Sequence, residues 1–224
     1  MQTIANLAKG ITTIPIPILD AEIPLAQYIP INLSVHNTNL KSVDITDPVA
    51  CETYIMSFLK AKNGTVAYGG YLEKRDLYRD KATFSTDKIR DVHLGVDFWC
   101  KAGTKVLAPF DGRVHSFQDN SAKGDYGPTI ILEHRTTQYS FHTLYGHLSR
   151  ASLKGLTIGQ RFKKGQLLGT LGTSDINVNY APHLHFQVIM DLEGAEGDYP
   201  GVCNESEVEK YTENCPDPLL LLGY

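Results

Sequence analysis

The residues of this chain best placed to do chemistry are histidines, eight of them in 224 residues. In PHLHFQV, His183 and His185 stand two apart. Side chains alternate faces along a strand, so both imidazoles share one face, about 6–7 Å apart at the backbone, and Leu184 and Phe186 take the other. HLGVDFW adds a carboxylate. Alternation there puts His93, Gly95 and Asp97 on one face and Leu94, Val96 and Phe98 on the other. A straight strand would hold the His93 and Asp97 backbones about 13 Å apart, so joint ligation of one ion needs a bend, which Gly95 permits. YSFHTLYGHLS is the third piece. Parity sets Tyr145 and His147 on one face and His142 on the other, and Gly146 leaves room for a ligand or substrate to approach the backbone.

Each motif alone has a plainer reading: a polar strand face, a strand with glycine at a packing contact, a structural tyrosine hydroxyl. Together, three separate segments offer four His and one Asp. Catalytic zinc takes three ligands from His and carboxylate and keeps its fourth position for water. Two His and one Asp leave such a site a net charge of about +1, which stabilises hydroxide or a developing oxyanion. Two further His could accept the water's proton, orient it, or donate to a tetrahedral intermediate. Spacing does not divide the five positions into ligands and catalysts.

The elements that must position them are mostly strands. From about residue 91, short apolar–polar alternating runs are separated by Gly, Pro and Asp, which predicts a mainly β fold, an antiparallel sheet or sandwich. Residues 1–48 read as extended segments and turns. Tyr54, Ile55, Phe58 and Leu59 predict a helix over 49–62, ended by Asn63-Gly64. Residues 65–84 read as a strand and a charged connection. We expect residues 1–84 to be a small mixed segment packed on a catalytic domain at 85–224. The acidic stretch DLEGAEGDYPGVCNESEVE reads most simply as a solvated loop, or as a rim that repels anions. There is no P-loop, no GxGxxG after a strand, no GxSxG and no internal repeat.

Hydrophobic residues are 42% and charged residues 21%, with a net charge of −4. That composition is globular and argues against a chain-wide basic nucleic-acid reader. No apolar run is long enough for a membrane helix. The first 26 residues are broken by Pro15, Pro17 and Pro24 and lack a leader's order, so a cytoplasmic location is expected, or a periplasmic or secreted one if a leader was removed. No CxxC pair occurs; Cys203 and Cys215 could pair in an oxidising compartment, but free thiols are expected.

In order, HLGVDFW, AGTKVLAPFDGRVHSF, DYGPTIILEH, TLYGHLS, KKGQLLGTLG and PHLHFQV resemble the lysostaphin/LytM-type zinc metallopeptidases over roughly residues 90–190. The resemblance implies the duplicated hybrid motif fold, a β-sheet groove with Zn2+ on its floor held by His93, Asp97 and His185. It implies that His147 and His183 are the non-ligand catalytic pair and that the substrate is a peptide, most often a peptidoglycan fragment. Two His and a carboxylate also suit non-haem iron, but HxxxD is wider than the usual facial-triad spacing, which favours zinc. The resemblance offers Asn32, Asn37 or Asn39 as an N-terminal plug over the metal. YGGYLEKRDLY and the tail YTENCPDPLLLL lie outside the usual core and resemble a sub-branch fused to metabolic enzymes. Two other functions are therefore weighed: a non-catalytic regulatory module, and a cytoplasmic hydrolase of a small-molecule amide. His115 and His134 are expected at the surface or behind the ligands.

Overall fold

The computed structural model describes residues 15–78, 89–122, 124–137 and 139–224. Twelve strands follow in chain order: β1 Tyr28–Pro30, β2 Val66–Gly69, β3 Val92–His93, β4 Val96–Trp99, β5 Lys105–Leu107, β6 Gly112–Asn120, β7 Gly127–Arg135, β8 Ser140–Gly146, β9 Arg161–Phe162, β10 Leu167–Thr170, β11 His183–Ile189 and β12 Val202–Cys203. Eight form one sheet in the order β1-β2-β4-β11-β8-β7-β6-β9, and β5–β10 and β3–β12 make two small ribbons. Every pairing is antiparallel except β1–β2. The mainly β expectation thus matches the structure.

The helix expected over 49–62 is α1, Pro48–Ala61. Asp47 caps it by accepting from the Ala50 N–H, Pro48 sits in its first turn, and Cys51, Ile55 and Leu59 form its buried stripe. Two short helices close the chain, α2 Val208–Asn214 and α3 Pro218–Leu222. The expected strand within 65–84 is β2; residues 79–84 lie outside the described residues. β1 and β2 extend the large sheet through the β2–β4 pair, and Tyr28 and Val66 join its main core.

Alternation sorts the central strands. Val96, Phe98, Leu184, Phe186 and Val188 point to one face and form the main core with Ile130, Leu132 and Tyr145. Asp97, His183, His185 and Gln187 are left on the opposite face, and all four are buried. Burying polar groups there requires that each find a partner. Residues 197–203 supply part of the cover: Tyr199, Val202 and Cys203 are buried, and Val202 pairs with His93. The middle of the acidic stretch is therefore a wall over this face, whereas Asp191, Glu193, Glu196, Glu205 and Glu209 are exposed, as a solvated loop requires. The four cysteines are free and buried.

Candidate metal centre

β4 and β11 pair in the register His185↔Asp97 and His183↔Trp99, which sets the carboxylate directly across from one imidazole. His93 joins them because the chain breaks between β3 and β4, so that His93 belongs to the β3–β12 ribbon and Asp97 to the large sheet. Gly95 sits in that break. A Cβ there would lie 2.7 Å from His185 Cε1, from His185 Nε2 and from the Phe186 carbonyl oxygen. The glycine thus both bends the strand and makes room for the His185 ring. Gly95→Ala is expected to cost about 1–3 kcal/mol of stability through overpacking and to lower metal content, read by thermal unfolding and metal analysis. A variant with unchanged Tm and full metal would show that the ring has room elsewhere.

Three atoms converge. His93 Nε2 lies 2.9 Å from His185 Nδ1. Asp97 Oδ1 lies 3.3 Å from His93 Nε2 and 3.2 Å from His185 Nδ1. The far sides of both rings are committed. His93 Nδ1 is 2.9 Å from the Gly70 carbonyl oxygen, which only an N–H can satisfy. His185 Nε2 is 2.9 Å from Gln187 Oε1. The Gln187 amide cannot be turned over, because its Nε2 donates to the Pro200 carbonyl and to Cys215 Sγ. The outer nitrogen of each ring is therefore an N–H, and burial, the largest influence, holds the His93 imidazole down at about 4, neutral at pH 7 with its inner nitrogen unprotonated. His93 Nε2 and His185 Nδ1 thus face each other at 2.9 Å, beside a buried Asp97 Oδ1 that has no hydrogen-bond partner.

That constellation fits a small divalent cation. Ligand atoms at zinc distances in a tetrahedral arrangement stand about 3.3–3.6 Å apart, close to the separations seen here. Among the described residues, His93, Asp97 and His185 are the group whose ligand atoms gather in this way, and all three are buried. The outer partners fix tautomer and ring orientation as metal-ligating histidines require.

His183 and His147 line the same pocket. His183 Nδ1 is 2.7 Å from the Ala181 carbonyl oxygen, leaving the Nε2 lone pair on the inner side, 3.8 Å from Asp97 Oδ1. Its ring stacks on Trp99 at 4.0 Å between centroids and lies 4.1 Å from the His147 ring. Burial pushes His183 down to about 4 and holds His147 well below an ordinary imidazole, so both are neutral proton acceptors at pH 7. His147 Nδ1 is buried without a hydrogen-bond partner.

Strand parity gives the wrong reason for His147. The pairs Phe186↔Tyr145 and Ile189↔His142 put Tyr145 in the main core and His142 on the sheet face of His185, beside His115 at the far end. His147 lies past the end of β8 with φ +62°, a left-handed conformation that costs about 1–2 kcal/mol for a non-glycine residue. That single reversal swings its ring to the site side. Gly146 makes room for Tyr126, not for a ligand: a Cβ would lie 2.7 Å from Tyr126 Cδ1. His134 is buried between the Asp111 carbonyl and Thr143 Oγ1, in neither of its expected places. Asn32 and Asn37 serve local turns, and none of the three candidate plug asparagines lines the pocket.

Two carboxylates sit on the pocket wall. Burial first, and then Asp198, push Asp125 up to about 6. Residues that spacing did not nominate are Gly70, Arg75, Tyr126 and Gln187. Only Gln187 had a signal, since it follows His185 by two on the same strand face.

A mainly β domain thus carries a buried group of two histidines and one carboxylate that could hold a metal ion, with two neutral imidazoles beside it. Residues 91–196 match the profile of peptidase family M23, so just under half of the chain is similar to that family. An "uncharacterized metalloprotease" of Haemophilus influenzae is 36% identical over 102 residues, 46% of this chain and 19% of that protein. The peptidoglycan DD-endopeptidase ShyC of Vibrio cholerae is 31% identical over 123 residues, 52% of this chain and 26% of that protein. The glycyl-glycine endopeptidase ALE-1 of Staphylococcus capitis is 35% identical over 96 residues, 42% and 24%. The matched region thus spans only about a fifth to a quarter of these relatives.

Proposed function

We propose that this chain is a zinc-dependent hydrolase of peptide or amide bonds, with His93, Asp97 and His185 as the metal ligands and His147 and His183 as the catalytic pair. The observation that carries the reading is the facing of two ring nitrogens across 2.9 Å, next to a buried carboxylate oxygen without a hydrogen-bond partner. One divalent cation satisfies all three at once. The two-histidine, one-aspartate donor set is one that zinc takes in catalytic sites.

A zinc ion held there supplies a Lewis acid that acidifies water and polarises a carbonyl oxygen. His183 offers Nε2 as the acceptor of the water's proton, because Nδ1 is committed to the Ala181 carbonyl. His147, with its ring against that of His183, is placed to donate to the developing oxyanion or to deliver a proton to the leaving amine. Trp99 stacked on His183 holds that ring in plane and keeps water from one side of it. The names of the two endopeptidase relatives favour a peptide cross-link, of peptidoglycan or of similar glycine-rich type, as substrate.

The test is digestion of purified peptidoglycan and, in parallel, of small α- and γ-linked peptides, followed by mass spectrometry of the products. Cleavage with one new amino terminus per event is expected, abolished by chelator and restored by zinc. Hydrolysis of small amides alone would move the substrate away from the cell wall. A zinc-loaded protein that cleaves none of them would make this a binding module.

A further inference from the structure

Asp97 has two oxygens, and only one of them faces the two histidines. The other, Oδ2, accepts from Arg75 Nη1 at 2.5 Å. Arg75 is 2% exposed, and its Nε donates to Glu73 Oε2 at 2.6 Å. Glu73 is fixed in turn, since its Oε1 accepts from the Leu33 N–H at 2.9 Å. The backbone of the same stretch is tied to the ligand strand: Leu72 N–H donates to the His93 carbonyl, His93 N–H to the Glu73 carbonyl and Arg75 N–H to the Asp91 carbonyl. The Gly70 carbonyl is the acceptor that sets the His93 tautomer. Gly70 itself has φ +101°, and a Cβ there would lie 1.8 Å from Arg75 Nη2, so Arg75 in this position requires glycine at 70.

We propose that residues 70–75, which lie outside the stretch matching the family, form the back wall of the metal centre, with Arg75 as the positioning residue that confines Asp97 to ligation through one oxygen. This rests on the metal-centre reading above and adds to it. A carboxylate with both oxygens free rotates about its terminal bond and can grip a cation with either or both. Here a guanidinium fork, itself held by Glu73, occupies Oδ2 and leaves Oδ1 aimed at the histidine nitrogens. One-oxygen ligation leaves a position for water beside three protein ligands, whereas two-oxygen ligation crowds it.

The test uses zinc competition against a fluorescent chelator and the visible spectrum of the cobalt-substituted protein, on the full chain and on Arg75→Gln and Arg75→Lys, with folding checked by circular dichroism. Wild type should bind one metal ion tightly; if it binds none, the metal-centre reading itself fails. Given that binding, Arg75→Gln should weaken zinc affinity by about 10–100-fold, the usual effect of losing a ligand's outer partner. Its cobalt bands should lose intensity as Asp97 turns to grip with both oxygens. Arg75→Lys, which keeps one donor, should recover part of both. The guanidinium charge by itself opposes a second cation, so a folded Arg75→Gln protein with unchanged or tighter zinc binding and an unchanged cobalt spectrum would overturn the positioning role. Should the variants not fold, X-ray absorption on wild type decides: four light-atom ligands about the zinc are expected, and five, with both Asp97 oxygens bound, would overturn it.

Discussion

His185→Ala is expected to abolish stoichiometric zinc and, with it, to lower turnover by about a thousandfold or more, since the Lewis acid contributes several kcal/mol to stabilising the transition state. The imidazole carries one of the three converging atoms and is the hub of the site. Asp97 faces it across the β4–β11 pair, His93 meets it at 2.9 Å, and Gln187 holds its outer nitrogen. Alanine removes the ligand and leaves the Gln187 carbonyl oxygen and the Asp97 carboxylate facing a void. The measurement is zinc per chain after dialysis against chelator, alongside hydrolysis. Full zinc retention by the variant would mean that the ion binds elsewhere.

The second large effect has the opposite signature. His183→Ala is expected to keep its zinc and to lose about 10²–10⁴ in kcat, the range general acid–base groups contribute. His183 Nε2 faces the pocket but stands 3.8 Å from Asp97 Oδ1, farther than either ligand nitrogen, and it is not one of the converging atoms. KM should change little, because the ring handles a proton rather than anchoring substrate. Metal content and kcat measured on the same sample separate the two roles. Loss of zinc on His183→Ala would make it a ligand, and wild-type turnover would remove it from the chemistry. His147→Ala should resemble His183→Ala, and the double variant should lose less than the product of the two if the rings act as a unit.

Much of the site was legible because a strand converts spacing into facing. His183 and His185 are two apart, and their shared face follows from the pleat. HxxxD was legible only as a demand: the spacing required a bend, and Gly95 supplied the place for one. His147 does line the pocket, but the rule that nominated it does not hold there. Parity counts residues along a continuous strand, and β8 ends at Gly146. The positive φ of His147 undoes one alternation, so Tyr145 went to the core and His142 to the site face. A local backbone reversal leaves no periodic trace when the residue that adopts it is not glycine.

The amino-acid order alone determined the strand-rich class, the helix near residues 49–62 and the five polar side chains that line the candidate site, since these follow from periodicity and residue chemistry within short windows. Tertiary structure decided everything that depends on two distant windows meeting. It chose which nitrogen of each ring faces inward, because the Gly70 carbonyl and Gln187 accept the outer protons. It brought Arg75 against Asp97 from 22 residues away, and it folded the middle of the acidic stretch, around Tyr199 and Val202, into a wall. Hydrogen-bond partners across that distance are set by packing, and packing is a property of the assembled sheet, not of any segment in it.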